Sequence, residues 1–247
     1  SWSNTWTFIT VSCGPDATSV TYQVGADGAR SGYSATITGS GFGTVNAGSR
    51  ANCAGGAGTG CVRFIVGGNA TVADADVTAW ADTSIAFNVS STLASEGGAA
   101  ALQVVAAGVS DGSPLTFYVY PTISGYSASF SDGGYQDGTI TISGDHLGSS
   151  GATTNVSFNG TNPASVGTWT ATSISTVDIP NSGTDSGTIT VTRASDSKAS
   201  NASATFYIYP QITDYTATFS DGGYQDGTIT ISGNHFGSGG LAANISF

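Results

Sequence analysis

Two carboxylates repeated in a glycine-rich turn are the chain's best material for chemistry. Asp132 and Asp137 stand in the stretch SDGGYQDG, and the same eight letters return with Asp221 and Asp226. Two carboxylates and neighbouring carbonyls in one tight turn could hold Ca²⁺, which takes six to eight oxygen ligands. Asp-Gly pairs serve a hairpin equally well, because glycine accepts positive φ and Asp bonds its own backbone. An earlier turn keeps Asp27 but has Gly32 where the second carboxylate would fall. Turn chemistry is therefore the simpler expectation, calcium the alternative, and no other cofactor is expected.

The remaining reactive residue types are sparse. His146 and His235 are the only histidines and occupy equivalent places beside Asp145 and Asn234, so they read as turn residues. No Gly-x-Ser-x-Gly, His-Glu-x-x-His or phosphate-cradling glycine loop occurs, and the chain is expected not to be an enzyme. Cys53 and Cys61 bracket CAGGAGTGC and could close a small disulfide loop in an oxidising compartment. Pairing of either with Cys13 is also open, since spacing does not fix connectivity. A leftover Cys13 could bond another subunit. Asn-x-Ser/Thr sequons at Asn69, Asn88, Asn155, Asn159, Asn201 and Asn244 arise easily in so Asn- and Ser/Thr-rich a chain.

The elements that carry these residues repeat. Residues 121–158 and 210–247 align without a gap at an offset of 89, with 26 of 38 positions identical by direct comparison. Such a period suits a β-sandwich of roughly 100 residues better than a solenoid. The expected organisation is an N-terminal strand over 1–13, a first module over 14–120, a second over 121–209 and part of a third over 210–247. Short alternating strands punctuated by turns, about seven per module, give an all-β fold of immunoglobulin-like sandwiches. Residues 44–60 are an insertion peculiar to the first module. Each module ends on FYVYP or FYIYP, and proline directly after the last strand predicts stiff joints and a rod-like array. Half a sandwich does not bury its inner face, so further modules or another chain must cover 210–247. Residues 1–13 alternate Trp2, Trp6 and Phe8 on one side. They form either a first strand or an exposed one that adds to a neighbour's sheet.

Composition narrows the partners. Only five Lys and Arg oppose 16 acidic residues, for a net charge of −11. Without a basic cluster, neither nucleic acid nor an anionic lipid surface is expected to bind. No apolar run is long enough to span a membrane.

These motifs in this order resemble the IPT/TIG domains, immunoglobulin-like modules of plexins, some transcription factors and many bacterial surface proteins. The resemblance rests on Pro-x-Ile at 121–123 and 210–212, and on ITGSGFG, ISGDHLG and ISGNHFG at 37–43, 142–148 and 231–237. VSFNG at 156–160, the Trp followed by T-S-I, and the closing F-Y-x-Y strand complete it. It implies a non-catalytic extracellular protein, bacterial in type. The leading expectation is a stalk or self-assembling filament held by sheet edges and ends. The alternative is an adhesin segment that grips a glycan or surface protein through module loops, with the 44–60 insertion as the best surface.

Overall fold

The computed structural model describes residues 14–23, 27–66, 69–180, 186–219 and 227–236; Trp2, Trp6, Phe8, Cys13, Asp221 and Asp226 lie outside them. The described chain is all-β, and it divides into two compact units, Ser1–Tyr120 and Pro121–Phe247.

In the first unit the strands are β1 (Asp16–Tyr22), β2 (Gly28–Arg30), β3 (Ser34–Ser40), β4 (Gly60–Phe64), β5 (Ala70–Thr71), β6 (Val77–Ala81), β7 (Ser84–Asn88), β8 (Gly97–Ala106), β9 (Val109–Ser110) and β10 (Leu115–Tyr120). One sheet runs β1-β3-β7-β6, the other β2-β10-β8-β4-β5 with β9 on β8. Alternation drives Ile37, Ile85 and Phe87 inward from the first sheet and Phe64, Leu102, Val104 and Phe117 from the second, into one shared core. Phe117 is its hub, 5.5 Å from the rings of Tyr22 and Phe64 and 5.7 Å from Phe87. Cys61 and Val105 are register partners on β4 and β8 and are buried too, although neither belongs to that core. The insertion covers them: Ala107 N–H donates to Thr59 O at 2.9 Å, and Gly60 N–H to Ser49 O at 3.1 Å.

The second unit repeats the plan with β11 (Thr122–Ser127), β12 (Gly133–Tyr135), β13 (Thr139–Asp145), β14 (Val156–Phe158), β15 (Ser173–Asp178), β16 (Ser186–Val191) and β17 (Thr205–Tyr209). Its sheets are β11-β13-β15 and β12-β17-β16-β14. Phe206 plays the part of Phe117, 5.2 Å from Tyr126 and 5.4 Å from Phe158. The ribbon β18 (Gln211–Phe219) and β19 (Gly227–Asn234) follows.

The glycine-turn signature has a physical cause. The first strand bulges between Ala17 and Ser19, between Ile123 and Gly125, and between Ile212 and Asp214. A Cβ on Gly39, Gly144 or Gly233 would stand 2.0–2.1 Å from the facing carbonyl of Asp16, Thr122 or Gln211, so only glycine fits there. Beyond it, Gly41, His146 and His235 occupy the left-handed region at φ 70°, 54° and 54°, which makes both histidines turn residues. Trp80 and Trp169 then clasp that turn, donating their indole N–H groups to Phe42 O and Leu147 O, both at 3.0 Å.

Candidate binding surfaces

The first surface is built by the 44–60 insertion. The Cys53–Cys61 disulfide closes it across eight positions, with Cα atoms 5.0 Å apart. Asp74, at the head of the 3-10 turn Asp74–Asp76, accepts Gly48 N–H at 2.9–3.0 Å and Arg50 N–H at 2.6 Å. Those backbone bonds, helped by the Arg50 charge, hold its carboxyl below the ordinary value. Arg50 in turn donates to Val77 O at 2.7 Å. The insertion is thus tied at both ends, and Cys53 Sγ lies 3.7 Å from Thr71 Oγ1.

Thr71 belongs to the wall of a cleft of about 210 Å³. Its polar lining includes Asp76, Asn88, Ser90 and Thr92, and the buried Val72 and Leu93 give it an apolar floor. Asn88 accepts from Ser34 Oγ through Oδ1 at 2.7 Å. The volume lies below the ~300–1,000 Å³ usual for drug-sized ligands. A carboxylate, an amide and hydroxyls above an apolar floor suit a small polyol, such as one sugar ring.

The second surface lies on the outer face of β12 and β17. Asp132 does not stand free: Tyr209 Oη donates to its Oδ1 at 2.7 Å, and Tyr207 N–H donates to its carbonyl at 2.9 Å. The first unit has the same clasp, Tyr120 Oη on Asp27 Oδ1 at 2.6 Å and Tyr118 N–H on Asp27 O at 3.0 Å. The repeated Asp therefore fastens the closing aromatic strand. That bond, then burial and the Asp132 charge, push the Tyr209 phenol up; burial and Asp132 do the same to Tyr126. Asp137 sits at φ 58° in the turn, its N–H directed to Ile179 O at 3.4 Å. Among the described residues no three His, Cys, Asp or Glu side chains gather into a metal site. Around the clasp stand Phe130, Tyr135 and Tyr207, exposed at 38%, 39% and 45%. Phe130 is 5.1 Å from the Tyr135 ring and 4.9 Å from that of Tyr209.

Three structural residues carried no signal that sequence reasoning used. Arg193 is fully buried, paired with both carboxylate oxygens of Asp196 and donating to His146 O at 2.9 Å. Asn201 takes Ile123 N–H at 2.8 Å and returns a bond to Ile123 O at 3.0 Å, satisfying the bulge. Buried Asp111 serves the equivalent Ala17 N–H at 3.3 Å. The amides of Asn155 and Asn201 are both committed to backbone hydrogen bonds.

Residues 121–208 match the IPT/TIG domain. A comparison with curated proteins finds no match. Among solved structures the chain is similar to SGBP-B from a complex xyloglucan utilization locus in Bacteroides uniformis, at 16% identity and TM-score 0.28, over 85% of this chain and 58% of that one. It is also similar to the SGBP-B of a Bacteroides ovatus mixed-linkage glucan utilization locus in complex with a mixed-linkage heptasaccharide: 15% identity, TM-score 0.29, over 83% and 48%. The plexin A4 extracellular region gives 13%, 0.27, 81% and 22%. The chain thus spans about half to three-fifths of the two Bacteroides structures. None of these superpositions is close enough to carry a functional conclusion.

Proposed function

We propose that the protein is a non-catalytic extracellular binding chain that holds a neutral glycan through the cleft of its first unit. The cleft beside the insertion supports this reading: a pocket the size of one sugar ring, polar around its rim and apolar at its floor, beside a loop stapled by a disulfide. Asp76 and the net charge of −11 disfavour an anionic ligand. In this reading residues 14–120, 121–209 and 210–247 are successive sandwich modules that display the cleft, and Asp132 and Asp137 are turn residues.

Calorimetric titration of the full chain with neutral gluco-, manno-, galacto- and xylo-hexaoses tests it. At least one should bind, and Asp76→Ala should weaken that binding tenfold or more. Heats of dilution alone across the panel would overturn the reading.

A second reading, a self-assembling structural array, is supported by the repeat: residues 121–158 and 210–247 share 26 of 38 positions at an offset of 89, so like modules follow one another. Sedimentation equilibrium at micromolar concentration separates the two: a monomer removes the array.

A further inference from the structure

We infer that the outer face of β12 and β17 is a second glycan-binding site, an aromatic tray for a neutral polysaccharide, independent of the first-unit cleft. The strand register assembles it. Tyr135 and Tyr209 are direct partners across the parallel pair, and Tyr207 lies two residues before Tyr209 on the same face. Two residues of strand separate the tyrosines by roughly 7 Å. Opposite Tyr207 stands Gly133, where a Cβ would come within 2.0 Å of the Tyr207 carbonyl, so no side chain can stand at that position. Phe130 completes the tray against Tyr135 and Tyr209.

Tyr207 and Tyr209 have counterparts in Tyr118 and Tyr120 of the first unit, whereas Phe130 and Tyr135 have no aromatic counterpart there. In the first unit the Asp27–Tyr120 clasp is kept, yet the position of Tyr135 is taken by Arg30, whose guanidinium lies 5.5 Å from the Tyr120 ring centre. The aromatic pair is an addition on top of the shared clasp, and the sequence FSDGGYQDG at 130–138 recurs letter for letter at 219–227. Tyr207, moreover, is nearly half exposed although it sits at the centre of its sheet, between β12 and β16.

Chemistry and size select the ligand. Phenol and phenyl faces present apolar surface to the C–H face of a pyranose, while hydroxyl tips stay at the wet rim. Asp132 uses Oδ1 on Tyr209, which leaves Oδ2 as an acceptor for a sugar hydroxyl. At about 40% exposure, rings of 150–250 Å² offer on the order of 300 Å² in total. A stable protein interface needs about 800 Å² per partner, so the tray is too small for a protein. Apart from Arg30 in the other unit, the chain's cations are Arg50, Arg63, Arg193 and Lys198, none of them on this face, so an anionic polysaccharide has no counter-charge there.

Affinity electrophoresis of the full chain in gels containing hydroxyethyl cellulose, with polygalacturonate as the anionic control, reads the site. The neutral polymer should retard the wild type and the anionic one should not. Measured in an Asp76→Ala background, where the cleft is already weakened, Tyr207→Ala and Tyr135→Ala should each weaken the remaining retardation at least tenfold and Tyr207→Phe less than threefold. To avoid dependence on folding of the variants, the wild type is nitrated with tetranitromethane with and without the polymer. Tyr135 and Tyr207 should be protected, and exposed Tyr33 should react equally in both. Retardation abolished by Asp76→Ala but not by Tyr207→Ala would overturn the tray and leave the cleft standing. Tray variants that lose retardation yet keep the hexaose binding that Asp76→Ala weakens would support two sites. No retardation by the neutral polymer, or no protection of Tyr207, would also overturn the tray.

Discussion

Replacing Arg193 by Met should be among the most damaging single changes in the second unit. The side chain is 0% exposed and its Asp196 partner 14% exposed. Its guanidinium supplies two bonds to that carboxylate and one to the His146 carbonyl in the turn that carries the glycine signature. Met fills similar volume but leaves Asp196 without its counter-charge and the carbonyl without its donor. Breaking a buried ion pair on one side costs about 3–5 kcal/mol. With about 4–8 °C per kcal/mol for a domain of 60–100 residues, the second unit should melt at least ~12 °C lower. Arg193→Met with Asp196→Leu removes the stranded charge as well. It should recover part of the loss, the carbonyl that loses its Arg193 donor still costing about 1–3 kcal/mol. Hydrogen exchange read by mass spectrometry, comparing peptides from 121–209 with those from 14–120, locates the effect. A loss below ~1 kcal/mol for Arg193→Met, or a double variant no more stable than the single one, would refute the reasoning.

Reducing Cys53–Cys61 releases a loop of eight positions; the loop-entropy relation gives about 2.5 kcal/mol, measurable as a lower urea midpoint for the first unit, and Cys53→Ser with Cys61→Ser should reproduce it. Gly144→Ala drives a methyl onto the Thr122 carbonyl and should destabilise by at least ~2 kcal/mol, whereas Gly125→Ala, with nothing within 4 Å, should change the midpoint by less than ~0.5 kcal/mol. In an absorbance titration at 295 nm, Tyr209 should ionise above its ordinary value of 10.0, and Asp132→Asn should bring it back. Because the folded phenol is raised, the stability it lends is complete below pH 10 and is lost as pH climbs through the folded value; a variant whose titration matches the wild type would sever Tyr209 from Asp132.

The all-β architecture was legible because its signals are local. Alternation at Ile85–Phe87 and in FYVY and FYIY reports which side chain faces the core, and the glycine turns punctuate the strands. The disulfide between Cys53 and Cys61 was one of the pairings that spacing left open. What stayed hidden depends on contacts far apart in sequence. The Trp80 and Trp169 clasps cross 38 and 22 residues, Asn201 reaches Ile123 across 78, and Asp132 meets Tyr209 across 77. A repeated Asp in a Gly-rich turn offers the same letters to a cation or to a distant phenol, and the fold sets a phenol against Asp27 and Asp132. The cleft was invisible for the same reason, since its wall joins residues near 71–76 to residues near 88–94.

The most direct test of the account is an NMR titration of the ¹⁵N-labelled full chain with a neutral hexaose that binds in calorimetry. Glycan binding at the two surfaces predicts shifted amides clustered at 70–76 and 88–94 and, separately, at 130–135 and 207–209. Shifts confined to 211–234, or none at any site at millimolar sugar, would contradict it.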